Sequence, residues 1–388
     1  LSLRGYERVL RARLADGRFF FDEDRKTPLE ARVEKLARVV WQGQLGSYAE
    51  KIARFRALGV KLAELTGRKD QSATLERAAT LAKADLVTGM VGEFPELQGV
   101  MGREYARAGG EPEAVALAIF EHYLPRGAED ALPTQDAGAL IGLADRLDSL
   151  CGIFAIGKGP SGAADPFALR RACLSVIRIV LGRGYRFSLS QAVDSALEQL
   201  GPKIANVKRK AGEPAPREQV LEFFRGRLKA LWMEQYRTDV VEAVLSAGYD
   251  DLVAAHKRLQ ALATIVGQAD FAPLAAAFKR VANIVEKQGK DVSRGGVDSN
   301  RLADDAERQL HSAYMQARSR VSDQVKADDF SGALKEITGL KPTVDTFFDK
   351  VMVMAEDKDL RENRIRLLVE IGTLFNQVAD FSKIQSEA

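Results

Sequence analysis

The sequence predicts an all-α protein made of two successive helical domains, and three observations carry that prediction. Apolar residues recur at helical spacing along almost the whole chain, as in Leu140, Ala144, Leu147, Cys151 and Phe154. Alternating, strand-like runs are scarce. One stretch rich in proline, glycine and basic residues, GPKIANVKRKAGEPAP, interrupts the helical pattern near the middle. We therefore expect a first domain over residues 1–200, a linker over 201–216 and a second domain over 217–388. A chain of 388 residues is long enough for each domain to bury its own core.

The elements can be justified in order. Residues 1–66 form a basic helical lead-in, with a helix start at Thr27, Pro28 and Glu30 followed by Leu29, Val33, Leu36 and Val40. A further helix is expected from Ser72 to Val91 through Leu75, Ala78, Ala79, Ala82 and Leu86. Gly92, Pro95 and Gly99 end it. Another helix from Glu113 to Tyr123 closes on HYLPR. Next comes a charged hairpin from Leu143 to Arg178, two helical patterns joined by a glycine-rich bend. Asp145 and Asp148, three residues apart, lie on one side of its first helix. Asp165 and Pro166 are residue types that start its second helix, which carries Arg170, Arg171 and Arg178. We expect the two acids to pair with those arginines. Beyond the linker the helices resume, ending with an apolar stripe of Leu360, Leu367, Ile371, Leu374 and Val378.

Composition limits the function classes. With 57 basic and 54 acidic residues the net charge is +3, so any RNA binding must come from local patches. No apolar run approaches the ~18 residues that cross a bilayer, so no membrane association is expected. Cys151 and Cys173 are too few for a disulfide framework and read as reduced core residues of a cytoplasmic protein. The N-terminus has neither a start methionine nor a signal-peptide pattern, which suggests a piece of something longer.

Several constellations could carry chemistry. A metal-dependent phosphohydrolase of the His-Asp (HD) type needs a His, a His-Asp dyad and a later Asp around its metal. Asp85, His122 and Asp145 give an incomplete set, because Tyr123 stands where the dyad's acid belongs; we expect no metal there. The glycine-rich GKGPSG at 157–162 matches G-x-G-x-x-G, but the preceding residues continue a helix, so it reads as a bend. No phosphate-binding loop or hydrolase elbow is present, and no catalytic residue is expected. Near the C-terminus Arg361, Asn363 and Arg364 crowd one helix end just after Phe347 and Phe348. Arginines can hold phosphates and aromatic rings can stack on bases; a solvated charged face and a plain core are the alternatives. Arg280, Asn283 and Lys287 offer a second candidate surface, with Asn283 and Lys287 on one face at i, i+4.

Five segments, RARLADGRFFFDEDRKTPLEARVEKL, LVTGMVGEFPELQGVMGREYA, LADRLDSLCGIFAIGKGPSGAADPFALRRA, FKRVANI and VDTFFDKVMVMAEDKDLRENRIRLL, together resemble the beta subunit of bacterial tetrameric glycyl-tRNA synthetase. The resemblance follows the family's order along nearly the whole chain and corresponds to the C-terminal part of that subunit. It implies an HD-like helical domain first and a DALR-type helical anticodon-binding domain last. It implies a cytoplasmic α2β2 enzyme whose alpha subunit uses ATP and magnesium to make glycyl-adenylate. This part of the beta subunit is then non-catalytic, without a cofactor of its own, and its partners are glycine tRNA and the alpha subunit. The second domain would engage the anticodon loop; the residues that we expect to make that contact, inferred from charge and exposure and not from the resemblance, are Arg280, Asn283, Lys287, Phe347, Phe348, Arg361, Asn363 and Arg364. The first would lie near the acceptor arm, with Arg170, Arg171 and Arg178 as candidates. A residual HD phosphohydrolase and a scaffold docking the alpha subunit are the competing functions.

Overall fold

The structure, a computed structural model, describes residues 2–209, 212–268, 271–289 and 295–385. The chain folds as two compact units, Leu1–Arg227 and Leu228–Ala388. The described residues are overwhelmingly helical, as the periodicity predicts, and the one small sheet pairs β1 (Val40–Gln42) with β2 (Gly46–Ser47).

The first unit opens with α1 (Ser2–Asp24), α2 (Leu29–Val33), α3 (Tyr48–Leu65) and α4 (Ser72–Leu81). Ser47 and Glu50 start α3 with a reciprocal capping box, each side chain bonding the other's backbone amide. The helix expected over Ser72 to Val91 stops early. Its amide ladder ends at Ala82, and Lys83 adopts a left-handed φ of 67°. After a 3₁₀ turn over Ala84–Val87 the chain resumes as α5 (Gly89–Glu93). A left-handed non-glycine residue is strained, so the surroundings must hold it; what holds Lys83 is described below. Likewise the helix started at Leu29 gives way to a 3₁₀ turn over Glu34–Arg38 and then to β1.

There follow α6 (Val100–Ala108), α7 (Glu113–Glu121), α8 (Asp136–Ala155), α9 (Leu169–Arg183) and α10 (Leu189–Ile204). The central element is α8, which packs against α3, α4, α7, α9 and α10 and is buried on nearly every side. The bend GKGPSG lies between α8 and α9, with neither strand before it nor helix at its last glycine. Asp165 does cap α9, but from further back than expected: its two carboxylate oxygens accept from the amides of Leu169 and Arg170 at 2.8 and 2.9 Å. The division between the units falls within α11 (Pro216–Trp232), downstream of the Pro/Gly-rich stretch 201–216.

The second unit contains α12 (Thr238–Ala247), α13 (Leu252–Val266), α14 (Phe271–Gln288), α15 (Asp305–Lys326), α16 (Phe330–Thr338), α17 (Lys341–Lys350) and α18 (Lys358–Asn376). Its core includes the ring cluster of Phe278, Phe375 and Phe381, with centroids 4.3 to 5.8 Å apart. Asp304 and Glu307 form a capping box on α15, and Asp357 caps α18 through the Leu360 amide.

Candidate functional site

The paired acids of α8 sit at the centre of a buried polar cluster in the first unit, but their partners differ from the expected ones. Lys51 and Arg54 on α3 point inward at the same i, i+3 spacing as Asp145 and Asp148. The Lys51 ammonium lies 2.9 Å from Asp145 Oδ1 and 3.0 Å from Asp148 Oδ2, and donates to Ser149 Oγ at 2.7 Å. Its charge also lies over the Trp41 ring, 4.1 Å from the centroid. Arg54 grips Asp148 bidentately, Nε to Oδ1 at 2.6 Å and Nη2 to Oδ2 at 3.2 Å. From the strained break after α4, Lys83 reaches the other Asp145 oxygen at 2.9 Å and lies 3.9 Å from the Tyr123 ring centroid. This pairing is what holds Lys83 in its left-handed conformation.

The expectation that Asp145 and Asp148 pair with Arg170, Arg171 or Arg178 is therefore corrected. Arg178 instead donates to the carbonyls of Gly127 and Asp130, both at 2.9 Å. Arg170 donates to the Gly162 carbonyl at 2.5 Å. Arg171 is exposed and has no partner among the described residues.

The remnant HD set comes together around Lys83, which interacts electrostatically with Asp85, His122 and Asp145. Each member has a partner within the fold, although Asp85 Oδ1 and His122 Nε2 are buried without a hydrogen bond among the described residues. Asp85 Oδ2 accepts from the Gly99 and Gly102 amides at 2.5 and 3.1 Å. Gly102 is required for that approach, since a Cβ there would lie 2.8 Å from Ile119 Cγ2 and 3.1 Å from Asp85 Oδ2. His122 Nδ1 meets the Ile119 carbonyl at 2.6 Å. Next to Asp145, Arg146 gathers the end of α7: its guanidinium donates to the carbonyls of His122, Tyr123, Leu124, Pro125 and Gly142 at 2.8 to 3.1 Å.

Burial and partners set the charges. Burial opposes ionisation of Asp145, but the Lys51 and Lys83 ammonium groups outweigh it and hold the carboxyl well below its usual range. Burial also raises the Asp85 carboxyl, against the pull of the two amides. It lowers Lys83, and it pushes His122 well below 6.5, so the imidazole is neutral. Two cations of the chain occupy the carboxylate that an HD-type metal would need. Among the described residues no group of three His, Cys, Asp or Glu is placed to hold a metal ion.

In the second unit the eight candidate residues separate into internal and open groups. Phe347 is 0% exposed and packs edge-on against Phe348, with centroids 5.5 Å apart, so no base can stack on it. Phe348 is buried too, its ring covered by the Arg280 guanidinium at 4.2 Å. Asn363, 1% exposed, clamps the Asp298 backbone, accepting from its amide at 2.8 Å and donating to its carbonyl at 3.0 Å. Arg364 pairs with the fully buried Glu307 and donates to the Met352 carbonyl at 2.8 Å. Half-buried Arg361 donates to the Ala355 carbonyl at 2.9 Å. These residues hold the domain together, which corrects the reading of Phe347, Asn363 and Arg364 as RNA contacts. Arg280, Asn283 and Lys287 are exposed along α14, and Asn283 and Lys287 have no side-chain partner among the described residues.

The sequence reading missed Lys51, Arg54 and Lys83. The available signal was the matching i, i+3 pairs: cations at 51 and 54 inside the apolar stripe of Ile52, Phe55 and Leu58, and acids at 145 and 148 inside that of α8. Nothing local identified Lys83.

Comparison with known proteins agrees with both units. The family described as glycyl-tRNA synthetase beta subunit matches residues 2–246, and the DALR anticodon binding domain matches residues 274–385. A glycine–tRNA ligase beta subunit of Myxococcus xanthus is 81% identical over 387 residues, 100% of this chain and 55% of the relative. Those of Citrifermentans bemidjiense and Anaeromyxobacter dehalogenans are 51% and 50% identical, covering 98% and 100% of this chain and 54% and 55% of theirs. The chain thus spans about half the length of the curated relatives it matches. A match over most of the chain, with a second, anticodon-binding profile on the helices of the second unit, places the chain in the glycyl-tRNA synthetase beta-subunit family.

Proposed function

We propose that the chain is a tRNA-binding part of a glycyl-tRNA synthetase, in which the second unit engages the anticodon loop of glycine tRNA. The observation that carries this reading is the anticodon-binding match over residues 274–385 on helices that leave Arg280, Asn283 and Lys287 open to solvent. Cationic side chains there would hold phosphates, with Asn283 beside them on the same helix. The chemistry, glycyl-adenylate formation from ATP with magnesium and transfer to the tRNA 3′ end, belongs in this reading to an alpha subunit of a cytoplasmic α2β2 assembly. The first unit is an HD-like scaffold whose Arg171 faces the acceptor arm.

The scaffold role has an observation of its own. Tyr6, Leu10 and Leu14 share one face of α1 and are 61 to 74% exposed, an apolar stripe suited to a partner subunit. A residual phosphohydrolase is disfavoured, because both oxygens of Asp145 are held by lysines.

Binding of the chain to glycine tRNA and to an unrelated tRNA, titrated with salt, tests the leading reading. Preference for glycine tRNA with a steep loss of affinity as salt rises supports it. Equal affinity for both tRNAs would remove it.

A further inference from the structure

The second unit contains a groove that none of the predicted RNA residues line. It has a volume of about 720 Å³ and lies among α13, α14 and the α16–α17 corner. That is within the ~300 to 1,000 Å³ range of sites that enclose small ligands. Its walls are apolar: Ile265 from α13, Phe271 and Leu274 from α14, and Pro342 from α17. Polar groups stand at the mouth. Gln268 carries both an amide donor and an acceptor, Ser331 adds a hydroxyl, and both are exposed. Lys335 and Lys341 flank the opening. Lys341 pairs with Asp345, while Lys335 is exposed and has no partner among the described residues.

Apolar walls, a side-chain amide able to face a base edge, and an unpaired ammonium at the rim form a set that suits one nucleotide. A drug-like apolar ligand would not need the cation, and a free phosphate would not need the walls. A peptide is a weaker fit, because among the described residues that line the groove there is no carboxylate and no sheet edge. Unstacked bases are commonly recognised in this way, by a face held between side chains and an edge read by hydrogen bonds, with the phosphate on a nearby cation.

We propose that this groove receives an unstacked base of the tRNA anticodon loop, with Lys335 on an adjoining phosphate. The proposal rests on the anticodon reading above and locates base recognition away from Arg280, Asn283 and Lys287, which then track the backbone.

The test uses the full chain with two unmodified transcripts, glycine tRNA and the same tRNA with its anticodon bases replaced. Thr264 lines the mouth and is exposed, so Thr264→Trp fills the groove from the rim without entering the core. A thermal melt checks folding, and Lys335→Glu probes the same mouth without added bulk. The wild type should prefer the native anticodon. Thr264→Trp should weaken glycine tRNA binding about tenfold and erase the preference, in line with the loss of one stacked and hydrogen-bonded base. Lys335→Glu should weaken both transcripts several-fold and leave the preference intact. If the wild type discriminates and both variants match it, the groove assignment is overturned while the anticodon reading stands. If the wild type does not discriminate, the anticodon reading fails and the groove proposal fails with it.

Discussion

The centre of the first unit and the outer face of α14 in the second use the same residue types in opposite ways. In the first, Lys51, Arg54 and Lys83 point inward and each meets a carboxylate. In the second, α14 leaves Arg280 and Lys287 in solvent, while Arg364 on α18 behaves like the first unit's cations, against buried Glu307. A basic residue is therefore no guide to RNA contact until its partner is known. What separates a structural cation from a binding one is whether a carboxylate or carbonyl from a distant part of the chain has already claimed it.

That contrast can be broken at several points. The largest effect is expected at Asp148, because Asp148→Ala leaves Arg54 without its carboxylate and Lys51 with half of its own. Urea denaturation should show a loss of about 3–5 kcal/mol, the usual result of removing one partner from a buried pair; a loss below about 1 kcal/mol would mean that the cluster is hydrated. Arg364→Ala should cost a similar about 3–5 kcal/mol by orphaning Glu307. Its residual tRNA affinity, corrected for the unfolded fraction, should be unchanged.

The pH dependence is smaller. Burial keeps His122 neutral in the fold, whereas the unfolded imidazole protonates near 6.5. Below about pH 6.5 the unfolded chain binds more protons, so stability falls as the pH drops, by up to about 1.4 kcal/mol per pH unit. His122→Asn should flatten the part of this slope due to His122, leaving the part due to His256, which burial also lowers. Urea midpoints compared on either side of about pH 6.5 would measure it; an unchanged slope in the variant would show that His122 does not titrate differently on folding. The smallest stability effect is expected for Lys287→Ala, within about 0.5 kcal/mol, yet this variant should lower tRNA affinity and reduce the salt slope by about 1. Parallel losses of stability in Arg364→Ala and Lys287→Ala would erase the distinction between the two kinds of cation.

Much of the helical architecture was legible because it follows from spacing and caps near in sequence. Asp165, Asp357 and Ser47 cap helices through residues three to five positions away. The misses involve long separations. Asp148 and Lys51 are 97 residues apart, and Arg364 and Glu307 are 57 apart. The broken helix after Leu81 has the same cause. Residues 72–91 suit a continuous helix locally, but the buried pairing of Lys83 with Asp145 requires a left-handed turn, and the tertiary contact prevails. The resemblance to a known family supplied the domain order, and it could not say which arginines were already occupied.

The position of Lys51 and Lys83 against Asp145 has a consequence for how the first unit depends on its surroundings. A domain knit together by a bound metal ion is hostage to the supply of that ion, to chelators and to competing metals. Here the counter-charges are tethered to the backbone, delivered with the chain as it is synthesised, and cannot be exchanged or stripped. The centre of the first unit is then held by groups of the chain itself and does not wait on an exchangeable ion.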